Sequence, residues 1–403
     1  MTLFQLISIA TFSSLFFLAI LTVAKKNNPV IGYRFLSLFF ILVSFIFADE
    51  AFTITGVYNF YPGLVIIFQP ATFAVAPAFY LAVVYLTSVN KKISLGILVH
   101  FIPFVLVMTL FIINAVTYPF TERSFTVTDK IMERTADLIF IVFLFVQVFT
   151  YLYFSSKKLK RHRNNLPLFA SNLSGNEYDW INKLIIGLLV LCIVWLAEAV
   201  LDNLQTSFLF SFIYLAGTYY LGIQILQQKD VFPFSQEQKE SVAAIIGEKE
   251  NRRQESAIIS DTAGINPKEL IKIKAERKQV LSEEKIQLYK VQILQLMEDA
   301  KPYLDCDLTL PKLASMLLLN TYQTSYLINS CFSENFYTFI NKYRVDACKK
   351  MLENKEYANL SILGIGYEAG FNSKTAFNTT FKKITGYSPM EYQDQINQTK
   401  KRN

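Results

Sequence analysis

The sequence predicts an all-α protein: a seven-transmembrane-helix bundle, then a linker, then a double helix-turn-helix domain. Three observations carry this. Seven apolar runs, each near the about 20 residues needed to cross a hydrocarbon core, crowd the stretch 1–226. Charge is sparse through that stretch and dense from Lys229 onward. In the C-terminal quarter one pattern occurs twice, a short apolar-faced helix, a turn and a polar-faced helix.

The runs lie near 2–24, 31–51, 64–88, 93–116, 135–156, 180–202 and 207–226. The first lacks a basic leader and is too long for the apolar core of a cleaved signal, so it is expected as a span. Orientation follows from the basic residues of the short loops. Lys25, Lys26, Arg34, Lys91, Lys92, Lys157, Lys158, Lys160, Arg161 and Arg163 gather on one side. The alternate loops hold only Arg123, Lys130 and Arg134, offset by Glu122, Asp129 and Glu133. The amino terminus is therefore expected outside and the carboxyl terminus in the cytoplasm.

Several polar groups fall towards the outer span ends in this topology: Asp49, Glu50, Asp137, Glu198 and Asp202, with Gln69 just before Pro70. Ionisable groups inside a membrane are costly and often functional. Glu50, Glu198, Asp49, Asp202 and Gln69 are the candidate ligand site, for a cation, a basic ligand or a peptide; carboxylates that simply reach interfacial water are the plainer reading. His100 lies in the inner part of the fourth span. Pro70, Pro77 and Pro103 are expected to kink their helices and open space between them.

The net charge of +7 suits anionic lipid, nucleic acid or both. Cys192, Cys306, Cys331 and Cys348 form no C-x-x-C pair, and His100 and His162 are the only histidines. A structural zinc site is not expected, and no other metal or cofactor is called for. The chain also lacks H-E-x-x-H, G-x-S-x-G and G-x-x-x-x-G-K, so no catalytic residue is assigned. Gly364-Ile365-Gly366 has no preceding strand and the wrong spacing for a dinucleotide loop.

The segment 227–288 reads as a charged linker; from Lys229 to Leu288 it carries eleven basic and eleven acidic residues. No heptad persists through three repeats, which argues against a coiled coil. Asn266-Pro267 marks a turn within it. Helical spacing resumes at Tyr289, and the C-terminal domain is placed at 289–398. Leu310–Leu317 is the first scaffold helix, with proline in its first turn, and Thr321–Cys331 is the polar-faced helix after it. Asn335–Leu352 is a long connecting helix whose core stripe is Phe336, Phe339, Ile340, Tyr343, Val345, Ala347 and Met351. Leu360–Ala369 repeats the scaffold pattern, Gly370–Ser373 turns, and Lys374–Lys383 is the second polar-faced helix. Two such units on one connecting helix suit docking twice on one face of a DNA duplex, about 34 Å apart.

The residues Asn335-Phe336, Ile340-Asn341-Lys342-Tyr343-Arg344-Val345, Ala369-Gly370-Phe371-Asn372-Ser373-Lys374, Phe377, Phe381-Lys382-Lys383-Ile384-Thr385-Gly386 and Ser388-Pro389 resemble the DNA-binding domain of the AraC/XylS family of transcriptional regulators. The resemblance covers about 289–395 in the family's order and spacing. More loosely, the layout resembles the membrane-bound bacterial members, in which a multi-span region precedes such a domain. The resemblance implies base readers at Tyr322, Ser325, Tyr326 and Asn329 in the first unit, and at Lys374, Thr375, Asn378 and Thr379 in the second. Lys382 is implied on the DNA backbone. Two departures stand out: Thr324 occupies an inward position where the family usually has leucine, so the first unit is expected to pack less firmly, and the first reader helix has no arginine for guanine.

The resemblance and layout together imply a regulator in a bacterium's inner membrane that alters promoter binding on an unknown signal. Its partners would be double-stranded DNA, membrane lipid, RNA polymerase, the signal ligand and a second copy of the chain as a homodimer. The alternative is a membrane receptor or transporter-like protein whose cytoplasmic tail is a protein-interaction module.

Overall fold

The structure is a computed structural model, and it describes residues 3–24, 31–88, 93–117, 127–172, 179–201, 204–226 and 281–402. Regular structure among the described residues is helical throughout, with one isolated antiparallel β-bridge between Ala170 and Thr309. The chain forms two compact units, residues 1–162 with 178–231, and residues 163–177 with 232–403. The linker from 227 to 280, including Asn266 and Pro267, lies outside the described residues, as do Lys25, Lys26, Lys91, Lys92, Glu122 and Arg123.

In the first unit the apolar runs become α1 (Leu3–Ala24), α2 (Ile31–Thr55), a single turn α3 (Val57–Phe60), α4 (Val65–Leu86), α5 (Ile102–Thr117), α6 (Val127–Asn165), α7 (Asp179–Leu201) and α8 (Leu204–Leu226). Six helical stretches among the described residues are long and apolar enough to cross a membrane: Leu6–Ala24, Ile31–Thr55, Pro62–Leu86, Leu95–Thr117, Leu138–Leu168 and Trp180–Ala197. The seventh expected run, α8, is a helix of 23 residues but is not among those six. Their outward faces carry large apolar side chains, among them Phe17, Leu106 and Ile139, as a lipid-facing surface requires.

Two differences from the sequence reading have simple causes. α6 runs 39 residues where a span of about 22 was expected, because no glycine or proline interrupts the basic stretch after Ser156 until Pro167. Pro103 does not kink a helix; Leu95–Phe101 is a 3-10 segment, and Pro103 falls in the first turn of α5, where a missing N–H costs nothing. Pro70 and Pro77 do lie inside α4.

Contacts in this unit run in a circuit. α1 packs on α2, α2 on α4, α4 on α5, and α1 also on α8, which packs on α7. α6 completes the circuit through Phe145 against Trp195 of α7 (5.2 Å) and Phe140 against Phe73 of α4 (6.3 Å). Pro77 has no N–H for the carbonyl four residues back, that of Phe73. Gln147 of α6 supplies the donor, Nε2 to the Phe73 oxygen at 3.0 Å, buried between the helices. The Ser37 hydroxyl donates to the Ala19 carbonyl at 2.8 Å in the same way, joining α2 to α1.

In the second unit α9 (Glu283–Asp299) starts earlier than expected, with Ser282 before it and Glu283 and Glu284 in its first turn, where the helix dipole favours acid. Then follow α10 (Leu310–Met316), α11 (Thr321–Phe332), α12 (Phe336–Glu353), α13 (Ile362–Glu368), α14 (Lys374–Thr385) and α15 (Pro389–Arg402). Side chains close most helix starts: Thr309, Asn320, Asn335, Ser361 and Ser373 each accept a backbone N–H three residues on. Around α12, one core gathers Ile293, Met297, Leu310, Leu313, Leu327, Ile328, Phe336, Phe339 and Ile340, all buried. A second gathers Val345, Cys348, Leu352, Ile365, Ala369, Phe371, Ala376, Phe377 and Phe381.

The residues following α6 belong to this unit. Residues 166–172 lie across it as a strap, with Phe169 and Ser171 each 1% exposed. The Leu310 N–H donates to the Phe169 carbonyl at 3.0 Å beside the Ala170–Thr309 bridge. The Ser171 hydroxyl donates to the Leu308 carbonyl at 2.5 Å, and Asn172 Nδ2 donates to the carbonyls of Cys306 (2.6 Å) and Gly370 (3.1 Å).

Candidate nucleic-acid interface

Each of the two repeated patterns folds as scaffold helix, turn and presented helix. In the first, α10 leads through Leu317–Asn320 into α11. Leu318 takes a left-handed φ of 56° in that turn. Asn320 and Gln323 form a reciprocal capping box, Gln323 N–H to Asn320 Oδ1 at 2.8 Å and Asn320 N–H to Gln323 Oε1 at 3.2 Å. In the second, α13 leads through Gly370 (φ 93°) to Ser373 and α14. An added Cβ at Gly370 would stand 2.3 Å from the Tyr303 carbonyl oxygen, so only glycine fits. Gly366 is equally constrained: its missing Cβ lets the Phe377 ring approach to 2.8 Å of that point. Gly366 therefore serves helix packing.

The presented helices divide cleanly into two faces. On α14, Ala376, Phe377, Thr380 and Phe381 are buried, while Lys374, Thr375, Asn378, Thr379 and Lys382 are exposed. Lys374, Asn378, Thr379 and Lys382 share a groove with Lys383 and with Ser388 to Met390 at the start of α15. The α15 start is held by Ser388 N–H to Glu391 Oε2 at 2.6 Å and Glu391 N–H to Ser388 Oγ at 3.3 Å, and those bonds hold the Glu391 carboxyl below its usual range. On α11, Thr321, Thr324, Leu327 and Ile328 are buried, Asn329 is exposed, and Tyr322, Ser325 and Tyr326 are half-buried. Thr324 is fully buried, and its hydroxyl donates to the Asn320 carbonyl at 3.1 Å, so the polar inward residue is satisfied within its own helix. All nine expected DNA-contacting residues thus lie on the two presented helices, the five of α14 on its outward face.

Of the expected ligand site in the first unit, the described side chains are Asp49, Glu50 and Gln69. Asp49 accepts from the Tyr58 hydroxyl and is also hydrogen-bonded by Gln69, so these three residues meet. Glu50, the next residue on α2, instead accepts from Ser8 of α1 at 3.1 Å. Asp202 lies outside the described residues, as do the side chains of Glu198 and Asp137. His100 meets Tyr151 of α6, Nδ1 to hydroxyl at 3.0 Å, beside the ring of Tyr80. Asp305, Cys306 and Asp307 present ligand-type atoms within 4.8 Å of one another, but the Asp305 carboxylate already holds the Asp307 N–H and Lys312.

Sequence reasoning missed the polar centre of the second unit. Arg344 and Asn341 on α12 are 0% and 1% exposed. Arg344 spends all five donors: Nε on the Tyr303 carbonyl (2.7 Å), Nη1 on the Ser171 carbonyl (3.0 Å) and Asn341 Oδ1 (3.5 Å), Nη2 on Ser171 Oγ (3.0 Å) and the Asp305 carbonyl (2.8 Å). Burial among these neutral acceptors lowers its pKa to about 10, so it stays charged at neutral pH. The available signal was periodicity: Phe336, Ile340, Arg344 and Cys348 recur every four residues and form one buried row.

A family described as "Helix-turn-helix domain", of AraC type, matches residues 313–395, from within α10 into α15. Searches of curated proteins and of solved structures each returned no match to this chain. The match, the two scaffold–turn–helix units and the exposed polar face of α14 agree: residues 313–395 are similar to a helix-turn-helix domain of the AraC type.

Proposed function

We propose that this protein is a membrane-embedded, sequence-specific transcription regulator, anchored by seven spans with its amino terminus outside and its DNA-reading unit in the cytoplasm. The single observation that carries the reading is the outward face of α14, Lys374, Thr375, Asn378, Thr379 and Lys382, on a matched helix-turn-helix domain in a chain whose described residues also include six membrane-length apolar helices. Lys374 and the short polar groups there read base edges in a major groove while Lys382 neutralises phosphate. Tyr322, Ser325, Tyr326 and Asn329 of α11 read a second element one helical turn away. A signal received among the membrane helices, with Asp49, Gln69 and Glu50 as candidate receivers, shifts promoter binding by favouring one arrangement of the chain over another.

The test is selection of random duplex DNA against the full chain reconstituted in lipid nanodiscs, at one stated salt concentration near physiological. Enrichment of a site with two elements about one turn apart is expected. Thr379→Ala should relax one element and Tyr326→Ala the other. Salt-sensitive binding without sequence preference would overturn the reading and favour a lipid- or protein-binding tail.

A further inference from the structure

The strap at 166–172 touches the segment ahead of α10, the connecting helix α12 and the turn before α14, three places that join the two halves of the second unit. Through Ser171 and Asn172 it holds the carbonyls of Cys306 and Leu308 ahead of α10, Asn341 and Arg344 of α12, and Gly370 in the second turn. The orientation of the Asn172 amide is fixed, because its Nδ2 faces two carbonyl oxygens and the opposite assignment would set oxygen against oxygen. Withdrawing the strap would strip Arg344 of two of its five acceptors, both on Ser171, and leave the Leu310 N–H without Phe169. Unpaired donors in a buried centre are costly, so a vacated cleft would rearrange. The strap is also covalently the short route between the membrane helices and this unit: α6 ends at Asn165 immediately before it and α7 begins at Asp179, whereas the other connection runs from 227 to 282.

We propose that residues 166–172 are an intramolecular ligand of the DNA-reading unit, and that the docked strap sets the two helix-turn-helix units at the spacing that engages both elements of one duplex. The membrane helices then act on DNA binding by pulling this strap in or out through α6 and α7. This rests on the regulator reading above. Docked, the two units are pre-organised and the second element is met at high effective concentration; undocked, each element binds nearly on its own.

The experiment uses the full chain in nanodiscs, with the selected two-element duplex and two duplexes carrying one element each. Ala170 and Thr309 face each other across an antiparallel bridge, a pairing whose Cα separation of about 4.5 Å suits a disulfide. Ala170→Cys with Thr309→Cys, in a Cys306→Ser background, should cross-link on mild oxidation, while the Ala170→Cys single variant should not. The cross-linked chain should bind the two-element duplex at least as tightly as the reduced one. Phe169→Ala with Asn172→Ala should weaken two-element binding about tenfold or more while changing each one-element affinity by less than about threefold. Failure to cross-link would overturn the proposal. So would an equal loss on all three duplexes, which is plain destabilisation, or an unchanged two-element affinity in the strap variant. If the wild-type chain selects no sequence at all, the regulator reading fails and takes this inference with it; if wild type selects its site and only the strap outcomes disagree, the inference alone falls.

Discussion

The two helix-turn-helix units use the same order of elements but different chemistry. The second is built on aromatics: Phe371, Phe377 and Phe381 pack in series with centroids 5.3 and 5.8 Å apart. Its turn uses a glycine in left-handed backbone, and three lysines stand on or beside its outward face. The first is held mainly by Leu310, Leu313, Leu327 and Ile328, places a satisfied threonine among them, and turns on Leu318, a β-carbon-bearing residue at φ 56° with 92% of its surface exposed. α11 carries neither lysine nor arginine. The contrast teaches that repetition of a motif does not imply the same chemistry: the second unit joins aromatic packing to exposed lysines and the first presents neutral polar groups, so on the proposed function the second would anchor on phosphate and the first would discriminate.

The largest expected effect separates the cores. Phe377→Ala removes a ring that is 1% exposed and wedged against Gly366, and should cost about 3–5 kcal/mol in equilibrium unfolding of the helix-turn-helix domain. Its counterpart test, Thr324→Val, keeps volume and deletes only a hydroxyl bonded to a carbonyl of its own helix, so about 1 kcal/mol or less is expected. Similar losses from the two changes would erase the distinction between the cores.

The turns come next. Gly370→Ala places a methyl within contact-forbidden distance of the Tyr303 carbonyl at a left-handed φ, and should destabilise by about 2–4 kcal/mol. Leu318→Asn puts a residue that tolerates this backbone into an exposed turn, and should be neutral or stabilising by up to about 1 kcal/mol in the same melts. A destabilising Leu318→Asn would mean that the leucine has a partner of its own.

The smallest effect sharpens the charge contrast. Lys382→Ala should lower the slope of log affinity against log salt by about 0.9, with binding weakened evenly across sequences. Ser325→Ala on the first unit should leave the slope unchanged and relax preference at one element. Titration of duplex binding at several salt concentrations reads both.

Much of the helical architecture was legible in the sequence because its signals are local. Asn320, Asn335, Ser361 and Ser373 announce helix starts through their own side chains, and the outward residues of α14 follow from a period of 3.6. The six long apolar stretches were legible by length alone. The strap was not, since a short connector such as Leu166–Asn172 has no periodicity, and its partners lie 134 to 198 positions away for Asn172 alone. Arg344 was overlooked for the opposite reason. Its position in the four-residue row with Ile340 and Cys348 marked it as inward, but its charge argued for solvent, and only long-range carbonyls from Tyr303, Asp305 and Ser171 reverse that argument. Asp49 and Glu50, neighbours on one helix, point to different partners, Tyr58 and Ser8, which their adjacency in the sequence does not foretell.

The Gln147–Phe73 bond has a consequence for how substitutions in the first unit should be scored. Replacing a glutamine by leucine in the middle of an apolar helix improves every hydropathy index, and a substitution matrix tuned to membranes would rank Gln147→Leu among the gentlest changes available. Here it would leave a carbonyl, already deprived of its own helical donor by Pro77, bare between helices. At this position greasiness and fitness part company, and a proline and a glutamine 70 residues apart in sequence are coupled in one direction: Gln147 can be lost safely only after, or together with, Pro77, whose replacement returns a helical N–H to the Phe73 carbonyl.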